Sequence, residues 1–171
     1  RDALIAASTL NIFNNHCDRV RMANLAQTIN VLQAVILTNE EKMILTPTYH
    51  VMEMYNVHQD AVMVPITVNS ADYILGDEKL KAINASASKD KNGFTHLSVV
   101  NIDPNKEQTI TVNIAGASFN AIKGRILNAV HIQDHNSFED PVKVKPVSYT
   151  GAKLMGNKLT INVPAASVVV L

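Results

Sequence analysis

The apolar positions of this chain change their period once, near residue 59. Over residues 2–15, Leu4, Ile5, Leu10 and Phe13 fall near one face at helical spacing, and Ala3, Ala6 and Ala7 raise helix propensity. The pattern predicts a helix that stops at Asn14-Asn15-His16. Asp18 is placed to cap a second short helix through Arg19–Leu25. The run Ile29–Leu37 is apolar and β-branched over strand length, as expected of a strand covered on both faces. Thr38–Lys42 is predicted as a loop. A further helix is predicted from Thr46-Pro47, with proline in its first turn and Val51, Met52 and Tyr55 on its buried face.

Beyond Gln59 the chain breaks into short alternating segments separated by turn residues: Ala61–Val68, Lys81–Ser88, His96–Ile102, Thr109–Ile114, Gly124–Val130, Val142–Tyr149, Lys158–Val163 and Ser167–Leu171. Asn92-Gly93 is a strong hairpin signal between two of them. Strands at this spacing predict an antiparallel sandwich or barrel. The reading is therefore a mainly β fold over 60–171, preceded over 1–59 by a helix, strand, helix unit.

Composition adds little direction. Apolar residues make up 47% of 171, enough for a sizeable core. Lys+Arg and Asp+Glu balance at 15 each, which argues against nucleic acid or an anionic membrane as a partner held by bulk charge. No apolar run approaches the roughly 18 residues that span a bilayer. The single cysteine, Cys17, cannot close an intrachain disulfide. Arg1–Leu10 has neither an initiator Met nor a signal-peptide pattern and opens inside a helix, so the chain is expected to begin within a larger protein.

Candidate chemistry is sparse. A glycosidase needs two suitably spaced carboxylates. Asn39-Glu40 copies the Asn-Glu pair of many barrel glycosidases, but Glu41 and Lys42 follow it, and a solvated loop is the expectation. Glu53 is offset from the apolar face of its helix and expected to be exposed. His131, Asp134 and His135 carry metal-ligating atoms at close spacing, yet turn hydrogen bonding by Asp134 and Asn136 is the simpler account. His50 and Glu53 lie one helical turn apart without a third ligand. Cys17 beside His16 lacks a third group to orient it and is expected to be a buried or neutral thiol. From the residues alone, no catalytic, cofactor or metal site is expected.

Several stretches, taken in order, resemble family 51 glycoside hydrolases, the α-L-arabinofuranosidases. They are Asp2-Ala3-Leu4, Asp18–Val31, Tyr49–His58, Asp134-His135-Asn136-Ser137-Phe138-Glu139-Asp140-Pro141 and Pro164–Leu171. The resemblance implies a jelly-roll-like sandwich over 60–171. It makes residues 1–59 the end of a (β/α)8 barrel: helix seven, strand eight and helix eight. The acid/base and nucleophilic glutamates of the family lie on earlier barrel strands, so it implies no catalytic residue here and no cofactor. Gln27 matches a glutamine that reaches the arabinose, and is the one substrate-binding candidate.

The implied partners are an arabinose-containing polysaccharide or oligosaccharide, met through the parent enzyme, and the rest of the catalytic barrel. The implied source is bacterial, with cytoplasmic, periplasmic and secreted locations left open. Leu4, Ile5, Leu10, Val31, Leu32, Ile36 and Met52 must cover one another, dock on the sandwich, pair with a second copy in a homo-oligomer, or stay exposed, and the covered arrangements are favoured. The alternative function is a carbohydrate-binding sandwich. It would need a platform of exposed aromatics, whereas the chain has no Trp and only Tyr73, Phe94, Phe119, Phe138 and Tyr149 in its β portion.

Overall fold

The computed structural model describes all residues, Arg1–Leu171. Its centre is a six-stranded antiparallel sheet with strand order β10-β9-β13-β7-β6-β3. These strands are Val147–Ser148, Arg125–Leu127, Ser167–Val170, Thr95–Asn101, Ile83–Lys89 and Val62–Val64. A three-stranded sheet, β11 (Ala152–Met155), β12 (Lys158–Val163) and β8 (Gln108–Asn113), covers one face of it. Alternation on β12 turns Leu159, Ile161 and Val163 inward, against Ile83, Ala85, Val99, Ile126 and Val169 of the larger sheet. This is the mainly β, antiparallel two-sheet fold expected from the sequence.

Helix α1 (Asp2–Asn15) and helix α2 (Pro47–Met54), which runs on into a 3-10 turn at Tyr55–His58, cover the opposite face of the six-stranded sheet. Ala3, Leu4, Ala7, Val51, Met54 and Tyr55 pack there against Val100, Leu127, Val168 and Val170. Of the apolar residues expected to need cover, Leu4 is buried in this core and Leu10 packs against it, whereas Ile5 and Leu32 stay exposed. Strand β13 is buried along its whole length because both of its faces are covered. Thr46 caps α2, its hydroxyl accepting from the Tyr49 N–H at 3.4 Å, and Pro47 occupies the first turn.

The chain departs from the sequence reading mainly between the helices. Arg19–Leu25 is not helical: a helix that short is marginal alone, and Met22 lies 76% exposed, with nothing to pack on. Ile29–Leu37 is not a continuous strand. Asn30 and Gln33 adopt left-handed backbone (φ 56 and 62), which interrupts extension. Only Ile36 and Leu37 enter a strand, as part of β1 (Ile36–Asn39), which pairs with β2 (Lys42–Leu45). The expected loop at Thr38–Lys42 shrinks to a turn at Glu40-Glu41, with Glu40 left-handed (φ 53). An apolar run covered on both faces needs neighbours on both sides. Here a lone parallel bridge, Ile29 to Ile36, replaces them, and Leu32 is 94% exposed.

Smaller differences follow from packing. Met54, not Met52, joins Val51 and Tyr55 in the core, and Ile5 turns outward while the polar Asn11 turns in. Val142–Tyr149 supplies only the two-residue β10. The hairpin of β4 (Asp72–Leu75) and β5 (Glu78–Lys81), together with β11, adds strands that the sequence reading lacked. No helix is long and apolar enough to cross a membrane.

Candidate functional site

Gln27 sits in the irregular segment between α1 and β1, exposed and left-handed (φ 57). Glutamine has no short side chain with which to stabilise that conformation locally, so its neighbours must hold it there. The Thr28 carbonyl accepts from the N–H groups of Val35 (3.2 Å) and Ile36 (3.1 Å), and the Asn30 N–H donates to the Ile36 carbonyl (3.2 Å). Asn30 is also left-handed, and its side chain grips Thr38 of β1 twice. Its Oδ1 accepts from the Thr38 N–H at 2.7 Å and its Nδ2 donates to Thr38 Oγ1 at 2.8 Å. The hairpin is in turn anchored to α2. The Thr46 N–H donates to the Val35 carbonyl (3.0 Å), and Thr46 Oγ1 donates to the Ala34 carbonyl (2.9 Å). The result is an exposed glutamine on a loop fixed at several points to a helix N-terminus.

Beside this loop an open cleft of about 350 Å³ runs between Gln33, Thr46 and the segment Gln133–Asn136. Gln27 is not among its lining residues. Asp134 spends its carboxylate locally, accepting from the His131 N–H (3.0 Å) and pairing with Lys143 Nζ (2.8 Å). The Lys143 contact, helped by that N–H, holds the Asp134 carboxyl below its usual range. His135 Nδ1 lies 3.1 Å from the Gln133 carbonyl. The turn reading of this segment therefore stands, with one extension. Buried Asn136 reaches beyond its own turn: its Nδ2 donates to the carbonyls of Leu45 (2.8 Å) and Val144 (3.0 Å), and its Oδ1 accepts from the Val144 N–H (2.7 Å).

The remaining candidates are dispersed. Glu40 and Glu41 form the exposed tip of the β1–β2 hairpin. Glu53 is half-buried, where exposure was expected, because its Oε1 pairs with Arg125 at 2.7 Å across α2 and β9. Burial lowers the basicity of His50 although Glu53 opposes it. Cys17 is half-buried and unpaired. No group of three or more His, Cys, Asp or Glu side chains is arranged to hold a metal ion. Of the five aromatics in the β portion, Phe94 alone is strongly exposed (66%).

A second constellation, absent from the sequence reading, lies between the helices and the sheet. Fully buried Asn11 donates through Nδ2 to the Asn84 carbonyl (3.3 Å), while its Oδ1 accepts from Ser86 Oγ (2.7 Å) and Tyr55 Oη (3.0 Å). Burial pushes the Tyr55 phenol far above its ordinary range, which keeps it a neutral donor. His58, on the 3-10 turn, reaches Ser88 Oγ with Nδ1 (2.7 Å) and Ser98 Oγ with Nε2 (2.6 Å). The signal was available: β6 alternates Asn84, Ser86 and Ser88 with apolar residues, and Ser98 of β7 lies opposite Ser86, so one sheet face had to meet polar partners.

Residues 1–167 match the family described as the α-L-arabinofuranosidase C-terminal domain. The chain is 41% identical over 172 residues to an intracellular exo-α-L-arabinofuranosidase of Bacteroides ovatus, covering 100% of this chain and 34% of that protein. It superposes on the crystal structure of a family 51 arabinofuranosidase from Xanthomonas axonopodis pv. citri with a TM-score of 0.96 and 40% identity, over 98% of this chain and 34% of the other. A family 51 α-L-arabinofuranosidase from Bifidobacterium longum gives a TM-score of 0.86 at 25% identity, again over 98% and 34%. The chain spans about a third of the length of these relatives.

Proposed function

The chain belongs to the α-L-arabinofuranosidase C-terminal domain family, and on that premise we propose that it completes an enzyme removing terminal α-L-arabinofuranosyl groups from arabinan or arabinoxylan. The reaction in this reading is the retaining one. One carboxylate attacks the anomeric carbon while a carboxylic acid protonates the leaving oxygen, and water then releases the sugar. Both acid groups come from the part of the enzyme that precedes this chain. Residues 1–59 close its barrel, and residues 60–171 form the sandwich that supports it.

In this reading Gln27 hydrogen-bonds the bound arabinose, and the single observation that supports it is the held, left-handed loop that presents an exposed glutamine. Strained non-glycine backbone persists only where surrounding contacts over-determine it, and it concentrates at ligand-contacting positions. The location we propose is the bacterial cytoplasm, as the description of the Bacteroides relative suggests. Self-association belongs to the same reading. The β4–β5 hairpin carries Ile74, Leu75 and Leu80, each at least 63% exposed, as a surface that a second copy would cover. No observation favours the carbohydrate-binding alternative.

The experiment is Gln27→Ala in the full-length enzyme, assayed on a chromogenic α-L-arabinofuranoside. Loss of one neutral hydrogen bond to the sugar, about 1 kcal/mol, predicts a fall in kcat/KM of roughly five- to tenfold. An unchanged kcat/KM would remove Gln27 from the site.

A further inference from the structure

We propose that Asn30 is a positioning residue for the sugar: by clamping its loop to β1 through Thr38, it fixes where Gln27 meets the substrate. This rests on the reading that Gln27 contacts arabinose. The backbone bonds of Thr28 and Asn30 to Ile36 set the direction of the loop, but any side chains could accompany them. The Asn30 side chain is the sequence-specific tie. It satisfies the Thr38 N–H and meets the Thr38 hydroxyl at 2.7 and 2.8 Å, and its own left-handed backbone suits asparagine better than most residues. Asn30 and Thr38 make these bonds at the exposed surface. Within this chain they therefore add little to the core, and their consequence is local order in the three residues back to Gln27. An amide held in the right place matters to a reaction far more than to global stability, since small misplacements of a contacting group are costly in rate.

The test is a double-mutant cycle in the full-length enzyme, on the same chromogenic arabinofuranoside. Asn30→Ala is expected to lower kcat/KM by about fivefold to tenfold, approaching the effect of Gln27→Ala, with an unchanged thermal unfolding midpoint. Asn30→Asp keeps both contacts if the Thr38 hydroxyl reverses its role, so it should recover most of the activity. In a Gln27→Ala background, Asn30→Ala should cost less than about a further twofold, because a positioning residue has then nothing left to position. If Asn30→Ala does not fold, Thr38→Val breaks half of the clamp and carries the same expectation. Equal losses from Asn30→Ala in both backgrounds would overturn the proposal, as would full activity of Asn30→Ala beside an impaired Gln27→Ala. Full activity of Gln27→Ala itself would remove the reading beneath it as well.

Discussion

Replacing Asn11 with alanine is expected to lower the unfolding free energy by about 3 kcal/mol. Asn11 is 0% exposed and joins α1, β6 and the 3-10 turn through one amide. Its removal leaves Ser86 with Asn14 (3.1 Å) and Tyr55 with the Ala7 carbonyl (3.2 Å), so neither hydroxyl is fully abandoned. The cost has two parts. A buried amide's bonds are lost, with about 1–3 kcal/mol for partners left short of a bond, and a void forms at a close-packed interface. Urea denaturation of Asn11→Ala against the unaltered chain reads the difference. Asn14→Ala, which removes a single half-buried bond, should cost about 1 kcal/mol. A loss below that in Asn11→Ala would show that the helices are not keyed to the sheet as described.

Acidification should loosen the same interface through His58. Burial, reinforced by nearby His96, lowers the His58 pKa from 6.5 to about 4. The neutral ring can donate to one serine hydroxyl and accept from the other, whereas the protonated ring must donate to both while remaining largely out of water. The facing groups are Tyr55, whose ring centre lies 5.5 Å away, and His96, at 6.5 Å, which itself pairs with Asp90 at 3.3 Å. In the unfolded chain His58 takes up a proton near pH 6.5, while in the folded chain it resists until about pH 4. Its contribution to stability is therefore whole above pH 6.5, declines as the pH falls toward 4, and is spent below that.

The difference of about 2.5 pH units, at about 1.36 kcal/mol each, amounts to roughly 3 kcal/mol. Denaturation midpoints at pH 7.5 and 4.5 should show a fall that His58→Gln largely abolishes. An equal fall in that variant, or an NMR titration placing the His58 pKa near 6.5, would refute this account.

The strands between Ile83 and Asn101, and those near the C-terminus, were legible because period-two alternation and Asn92-Gly93 are local signals. Helix α2 was legible from Thr46-Pro47 for the same reason. The segment from Arg19 to Leu37 was not. Its apolar run has strand composition, but the left-handed turns at Gln27, Asn30 and Gln33 depend on pairing with Ile36 and Thr38, which no window of propensity contains. Gly76-Asp77 was a missed turn signal for the β4–β5 hairpin, with Gly76 at φ 59. Gln27 was a candidate through resemblance alone. Asn11 and His58 went unseen because a polar residue on a helix face announces burial only once the polar face of the sheet opposite is known.

In the proposed function this chain lends a held loop and a supporting sandwich to an active site whose acid groups lie elsewhere. The most direct test is to incubate the purified 171-residue chain with a chromogenic α-L-arabinofuranoside at high protein concentration. No hydrolysis above the blank is expected. Turnover by this chain that Glu40→Gln or Glu41→Gln abolishes would contradict it.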